Sequence, residues 1–218
     1  MKKSLFRSKA TPLIACILCS GLYFSDYFQI VFAALIVLLA SAMEYGKRAF
    51  RSLGFQRRNL NVANLLIWAP LTAGMLFAAY LYILIPGITK LTGHPIDFSQ
   101  FEQFEGNFPA ILGFSVFVWV SAAFGEEVLF RGYLMNQFSK FFGEGALSVA
   151  VNIALFGIIF GFVHSYQGIS GQIITGIIGA SLAFIFYLRK HDLWFNIFVH
   201  GFFDTIALGF IYYGFWGN

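Results

Sequence analysis

The chain has 218 residues, of which 59% are hydrophobic and only 11% charged, against about 25% charged in an ordinary soluble domain. Aromatic residues make up 20% and 29 residues are Phe, which is more apolar surface than one soluble core of this size can hide, so composition excludes an ordinary soluble enzyme and makes lipid the solvent. The net charge of +4 comes from Lys and Arg placed between apolar runs, not on one polar face, and this excludes a nucleic-acid partner.

Charge-free stretches predict the spans in chain order. Residues 10–25 and 27–43 flank Asp26 and read as two short spans or one re-entrant hairpin. Lys2, Lys3, Arg7 and Lys9 precede the first, and Leu13-Ile14-Ala15-Cys16 resembles a lipoprotein cleavage box. Only Ala10, Thr11 and Pro12 separate Lys9 from that box, too few for an apolar region of about 7–15 residues, so an uncleaved first span is expected. Cys16 and Cys19 have no thioredoxin-like βαβ pattern around them and read as buried filler. Residues 59–89 hold a third span and 106–125 begin a fourth that continues further. Residues 145–163, 165–188 and 193–218 supply three more. At about 20 residues per crossing the prediction is an all-α, polytopic transmembrane helix bundle of about seven spans, with six to eight as bounds. The runs are continuous, unlike the alternation of a membrane barrel. One integral membrane domain, 1–218, is expected, with N-terminal spans in 1–107 and a motif-bearing core in 108–210.

Basic residues set the expected orientation. With the N-terminus in the cytoplasm, Lys2, Lys3, Arg7, Lys9, Lys47, Arg48, Arg51, Arg57, Arg58, Lys140, Arg189 and Lys190 lie inside, Lys90 alone lies outside, and Arg131 lies in a span. The outer 87–109 loop is acidic, with Asp97, Glu102 and Glu105. A multi-pass protein of the plasma (inner) membrane is expected, with its C-terminus outside. Gly157 with Gly161, and Gly176 with Ala180, put small side chains on one helix face and read as close helix packing.

The polar residues of the second half carry the chemistry. Glu126, Glu127 and Arg131 fall within six residues at the end of an apolar run. Ionisable groups at a span centre cost about 2.5–3.5 kcal/mol each, so they must pair or face protein or trapped water. Glu127 and Arg131 stand at i, i+4 and read as a bracing ion pair. Glu126 is rotated about 100° away and has no basic residue one turn off, which leaves it free to act on water. His164 ends the fifth apolar run with Phe160 one turn before it, so their rings can pack. His200 and Asp204 form another i, i+4 pair, in which Asp204 could orient the imidazole or offer its carboxylate to a metal or water. Together Glu126, His164, His200 and Asp204 suffice to activate water and steady an oxyanion. Glu126, His164 and His200 would equally suit a zinc-like divalent metal. Ser121 lies near Glu126, but no His is tied to it. Drawn as straight helices, His164 and His200 sit at different depths.

The set Glu126-Glu127-xxx-Arg131, Phe160-xxx-His164 and His200-xxx-Asp204 resembles, in order, the EExxxR, FxxxH and HxxxN/D motifs of the CPBP (CAAX protease and bacteriocin-processing) family of intramembrane metalloproteases, related to the type II CAAX prenyl endopeptidases. The likeness covers roughly residues 108–210. It implies a helix bundle around a conical cavity, a peptidase with Glu126 as base and His164 as its partner, and His200 with Asp204 holding substrate or the oxyanion. Asp204 stands where many members have Asn, and an ionised Asp cannot donate to an oxyanion. The implied partner is a peptide or membrane-protein substrate within the lipid bilayer. The competing functions are a catalytically inactive scaffold or immunity protein and a proton-coupled transporter.

Overall fold

The computed structural model describes residues 10–23 and 29–215. The basic cluster Lys2, Lys3, Arg7 and Lys9, and the span break at Asp26, lie outside the described residues. Among the described residues there are helices and no strand. Six helices are long and apolar enough to cross a membrane. Label the short first helix α1 (Ala10–Tyr23). The six others are α2 (Gln29–Asn59), α3 (Ala63–Thr92), α4 (Phe108–Phe142), α5 (Ala146–Val163), α6 (Ser165–Leu188) and α7 (Leu193–Tyr212). These follow the charge-free stretches closely, so the all-α polytopic bundle of six to eight helices is the fold.

The α1 helix has 14 residues, about 21 Å at 1.5 Å per residue, which is short of a hydrocarbon core of about 30 Å. It packs on α2, where Cys19 Sγ reaches the Ala33 carbonyl at 3.9 Å. The regular turns of α2 end at Tyr45, and shorter turns carry the Lys47–Arg58 basic run. Side chains such as Leu39, Met75, Tyr82, Leu147 and Phe162 are exposed on the outside of the bundle, as expected where lipid is the solvent. A core of Val37, Ala123, Val128, Tyr133, Phe160, Phe186 and Leu193 joins α2, α4, α5, α6 and α7.

Close packing follows from small residues. A Cβ on Gly157 would lie 2.8 Å from Ala180 Cβ, and one on Gly161 would lie 2.5 Å from the Gln172 carbonyl oxygen. The α5 and α6 backbones therefore approach because those residues have no side chain. Two sets of backbone bonds tie the ends of the bundle. At one end Asp97 N–H donates to the Gln167 carbonyl at 2.9 Å and Gly106 N–H to that of Tyr212 at 3.0 Å. At the other, Leu193 N–H donates to the Gly54 carbonyl at 3.2 Å. Gly54 has φ +100, and a Cβ there would lie 2.6 Å from the His191 carbonyl oxygen. That contact, with Asn64 donating to Asp192 at 3.1 Å, fixes where α7 begins. Asp192 also caps α7 by accepting from Phe195 N–H at 3.2 Å.

Candidate active site

The α4 helix carries the first carboxylates on an unusual backbone. Asn107 caps its start by accepting from Ala110 N–H at 3.3 Å. From Trp119 to Leu134 it winds in wide π-type turns, so that Met135 N–H bonds the Phe130 carbonyl. Such turns are rare and concentrate at functional sites. The spacing argument from a regular α-helix therefore does not describe this segment. The Glu127–Arg131 ion pair that it predicted is nonetheless present. Gly125 and Gly132 bracket the segment: a Cβ on the first would lie 2.8 Å from Ile30 Cγ2, and one on the second 3.1 Å from Leu193 Cδ2. Neighbouring helices thus close over both sides of Glu126–Arg131, and all six residues are buried.

Arg131 Nη1 donates to Glu127 Oε1 at 2.8 Å, and Nη2 donates to the Gly179 carbonyl at 2.6 Å. Its guanidinium carbon also stands 4.9 Å from the centroid of the Phe160 ring. Glu127 does more than pair with arginine. His200 Nδ1 donates to the same Oε1 at 2.9 Å, and Asn196 Nδ2 donates to Oε2 at 3.2 Å. One carboxylate with four lone-pair sites can accept all three. Asn196 also donates to the Leu182 carbonyl at 2.8 Å. Asn196, His200 and Asp204 make a stripe every four residues along α7. The sequence reading used its last two members and missed Asn196, although the same i, i+4 spacing would have found it.

The two nitrogens of the His200 ring face different carboxylates. Glu127 takes Nδ1, and Asp204 Oδ2 lies 3.4 Å from Nε2. Glu126 Oε2 lies 4.0 Å from that same Nε2 and accepts no hydrogen bond, although it is buried. On the far side, α7 is locked to α4 by Trp119. Its indole N–H donates to Thr205 Oγ1 at 3.1 Å, and its ring occupies the space above Gly201, where a Cβ would lie 2.6 Å from it.

His164 follows the last residue of α5. Its Nδ1 is 2.8 Å from the Phe160 carbonyl oxygen. A carbonyl only accepts, so Nδ1 carries the proton and Nε2 is left as the acceptor of the neutral ring. The Phe160 ring lies 4.7 Å from the His164 ring and 6.1 Å from the His200 ring, centroid to centroid. Both imidazoles thus flank one aromatic side chain, and the difference in depth drawn from straight helices does not keep them apart. Glu126, His164, His200 and Asp204 all line one cavity of about 540 Å3. Ser121 lines it too, but its hydroxyl donates to the Phe117 carbonyl at 2.8 Å. Among the described residues no group of three or more His, Cys, Asp or Glu is arranged to hold a metal ion. Glu126, His164 and His200 share a cavity without forming a chelating set in this structure.

The segment that supplies this geometry is also the segment with a known likeness. Residues 108–206 match the Type II CAAX prenyl endopeptidase Rce1-like family. No curated protein and no solved structure matches the chain. The Rce1-like segment starts with α4 and ends two residues past Asp204, so it contains all three motifs, and the resemblance stated from them is borne out. The multi-pass membrane protein expected from composition agrees with the six spanning-length helices.

Proposed function

We propose that the chain is an intramembrane endopeptidase that hydrolyses a peptide bond with a water activated by Glu126. The observation that carries this reading is the buried, unpartnered Glu126 Oε2 on a cavity shared with two imidazoles and a second carboxylate. A buried carboxylate oxygen without a donor is costly to keep, and a bound water would satisfy it. The likeness of residues 108–206 to a peptidase family supports the same reaction class.

In this reading Glu126 takes a proton from the water as its oxygen bonds to the scissile carbonyl carbon, and returns it to the leaving amine. His164 Nε2, its proton held on Nδ1 by Phe160, accepts from the water's second hydrogen and aims a lone pair at the carbon. His200 is held through Nδ1 by Glu127, so that Nε2, when protonated, points a donor at the developing oxyanion. Asp204 sits against that proton. The cavity wall includes Tyr80, Phe98, Phe101, Phe114 and Phe203, so the enclosed substrate segment is apolar. Prenylation of the substrate does not follow from these residues.

The test compares peptide ends in cells carrying wild type or Glu126→Gln at matched abundance. Ends present only with wild type are expected, with processing lowered at least about 10²–10⁴-fold in the variant. Asp204→Asn should retain more processing than Asp204→Ala, because the amide oxygen can still accept from His200. Identical peptide ends in the two strains would overturn the hydrolytic mechanism and leave a scaffold.

A further inference from the structure

The cavity wall carries a hydroxyl that the mechanism above leaves unused. Tyr166 stands two residues past His164, and their ring centroids are 5.7 Å apart. It lines the same cavity as Glu126, His200 and Asp204. Chemistry fixes the direction of the bonds that reach it. The Thr175 hydroxyl donates to Gln167 Oε1 at 2.8 Å, and an amide oxygen can only accept. That turns the amide so that Gln167 Nε2 donates to the Tyr166 phenolic oxygen at 3.4 Å. The phenol therefore receives at its oxygen and keeps its own proton for another acceptor.

The arrangement is built in. Gln167 N–H bonds the His164 carbonyl at 3.0 Å, and the Gln167 carbonyl accepts from Asp97 N–H at 2.9 Å. One turn along α6, Gly171 leaves room for the glutamine: a Cβ there would lie 2.3 Å from Gln167 Cβ. Two other cavity hydroxyls have spent their protons, Ser121 on the Phe117 carbonyl and Thr175 on Gln167. An ionised Asp204 has no proton to give.

We propose that Tyr166 is a catalytic hydrogen-bond donor, its O–H binding the scissile carbonyl oxygen as charge develops there, and that Thr175 and Gln167 are positioning residues that set the direction of that donation. This rests on the hydrolytic reading of the site. The step balances without a further reactant. The water oxygen bonds to the carbonyl carbon, its proton goes to Glu126, and the C=O π pair moves onto the oxygen that Tyr166 and His200 hold. The pair then returns, the C–N bond breaks, and Glu126 delivers the proton to nitrogen, giving a carboxylic acid and an amine.

The experiment uses the full chain in lipid nanodiscs and a synthetic peptide spanning a cleavage point found only with wild type in the peptide-end comparison. Y166F should lower kcat about 10²–10³-fold, the range for loss of one oxyanion donor, with KM little changed. Q167E places a carboxylate that accepts the phenol proton, so it should lower kcat by turning the donor away. Added to Y166F it should do nothing more, because the hydroxyl it acts on is gone. Thermal unfolding in detergent should leave both variants at the wild-type midpoint. Wild-type kcat in Y166F overturns the proposal while the hydrolytic reading stands. So does a Q167E loss that persists in the Y166F background. If no peptide end depends on Glu126, the hydrolytic reading falls and this proposal with it.

Discussion

Glu127 is a single carboxylate with three donors on it: Arg131, His200 and Asn196. It is 0% exposed, so nothing but these groups can offset its desolvation. Glu127→Gln removes the charge, keeps one acceptor oxygen for three donors, and leaves the buried Arg131 guanidinium without an anionic partner. Breaking a buried pair in this way costs about 3–5 kcal/mol. The expected outcome is a lower thermal midpoint and lower abundance in detergent-solubilised membranes, where Glu126→Gln, whose Oε2 has no donor to lose, stays near wild type. Exchanging the two residues, Arg at 127 and Glu at 131, looks from sequence like a repair. The structure argues against it, because the reversed pair puts a cation beside His200 Nδ1 and Asn196 Nδ2, which are both donors. The exchanged variant should be no more stable than Glu127→Gln. A wild-type midpoint in either variant would remove Glu127 from its structural place.

At the scale of elements, the position of His164 depends on how closely α5 lies on α6. His164 N–H bonds the Gly161 carbonyl at 3.0 Å, so a shift of Gly161 moves the imidazole. A Cβ at Gly161 would meet backbone, the Gln172 carbonyl oxygen at 2.5 Å, and backbone cannot rotate aside. Gly161→Ala should therefore cost about 1–3 kcal/mol of stability through overpacking and reduce processing as His164 leaves its place. Gly113→Ala in α4 is the control, since nothing lies within 4 Å of a Cβ there and Ala is the better helix former. Thermal unfolding of the two variants side by side, with processing measured on each, decides it: equal stability would mean that the helices can part without cost. The helices themselves, their order and the close pair at Gly157 and Gly161 were legible in the sequence, because charge-free length and small-residue spacing are local signals. The wide turns of Trp119–Leu134 were not, since no residue type announces an i→i+5 bond. Nor was the hold of Glu127 on His200, which depends on bringing a residue 73 positions on against it. Tyr166, Gln167 and Thr175 gave no signal either, as their bonds join residues one and eight apart, spacings that an i, i+4 reading does not use.

Over the whole molecule, basic and acidic segments sort to opposite ends of the bundle. Gly54 and Asn64, beside the Lys47–Arg58 run, bond to Leu193 and Asp192, just past Arg189 and Lys190. The 93–107 segment, with Asp97, Glu102 and Glu105, bonds instead to Gln167 and to Tyr212 at the end of α7. Phe98 and Phe101 from that acidic segment line the cavity that holds Glu126 and His200. The cavity therefore extends toward the end of the bundle on which this segment lies, and the proposed hydrolytic reading has substrate enter from that end. By the positive-inside rule the basic end is expected in the cytoplasm and the acidic end outside. With Cys16 and Cys19 replaced by Ala, single cysteines at Ser99 and Arg57, both exposed positions, report each end. A membrane-impermeant maleimide on intact cells should label Ser99→Cys at once and Arg57→Cys only after permeabilisation. The reverse pattern would turn the molecule over and bring substrate to the cavity from the cytoplasm. Immediate labelling at both positions would mean that the two ends do not lie across a membrane from each other.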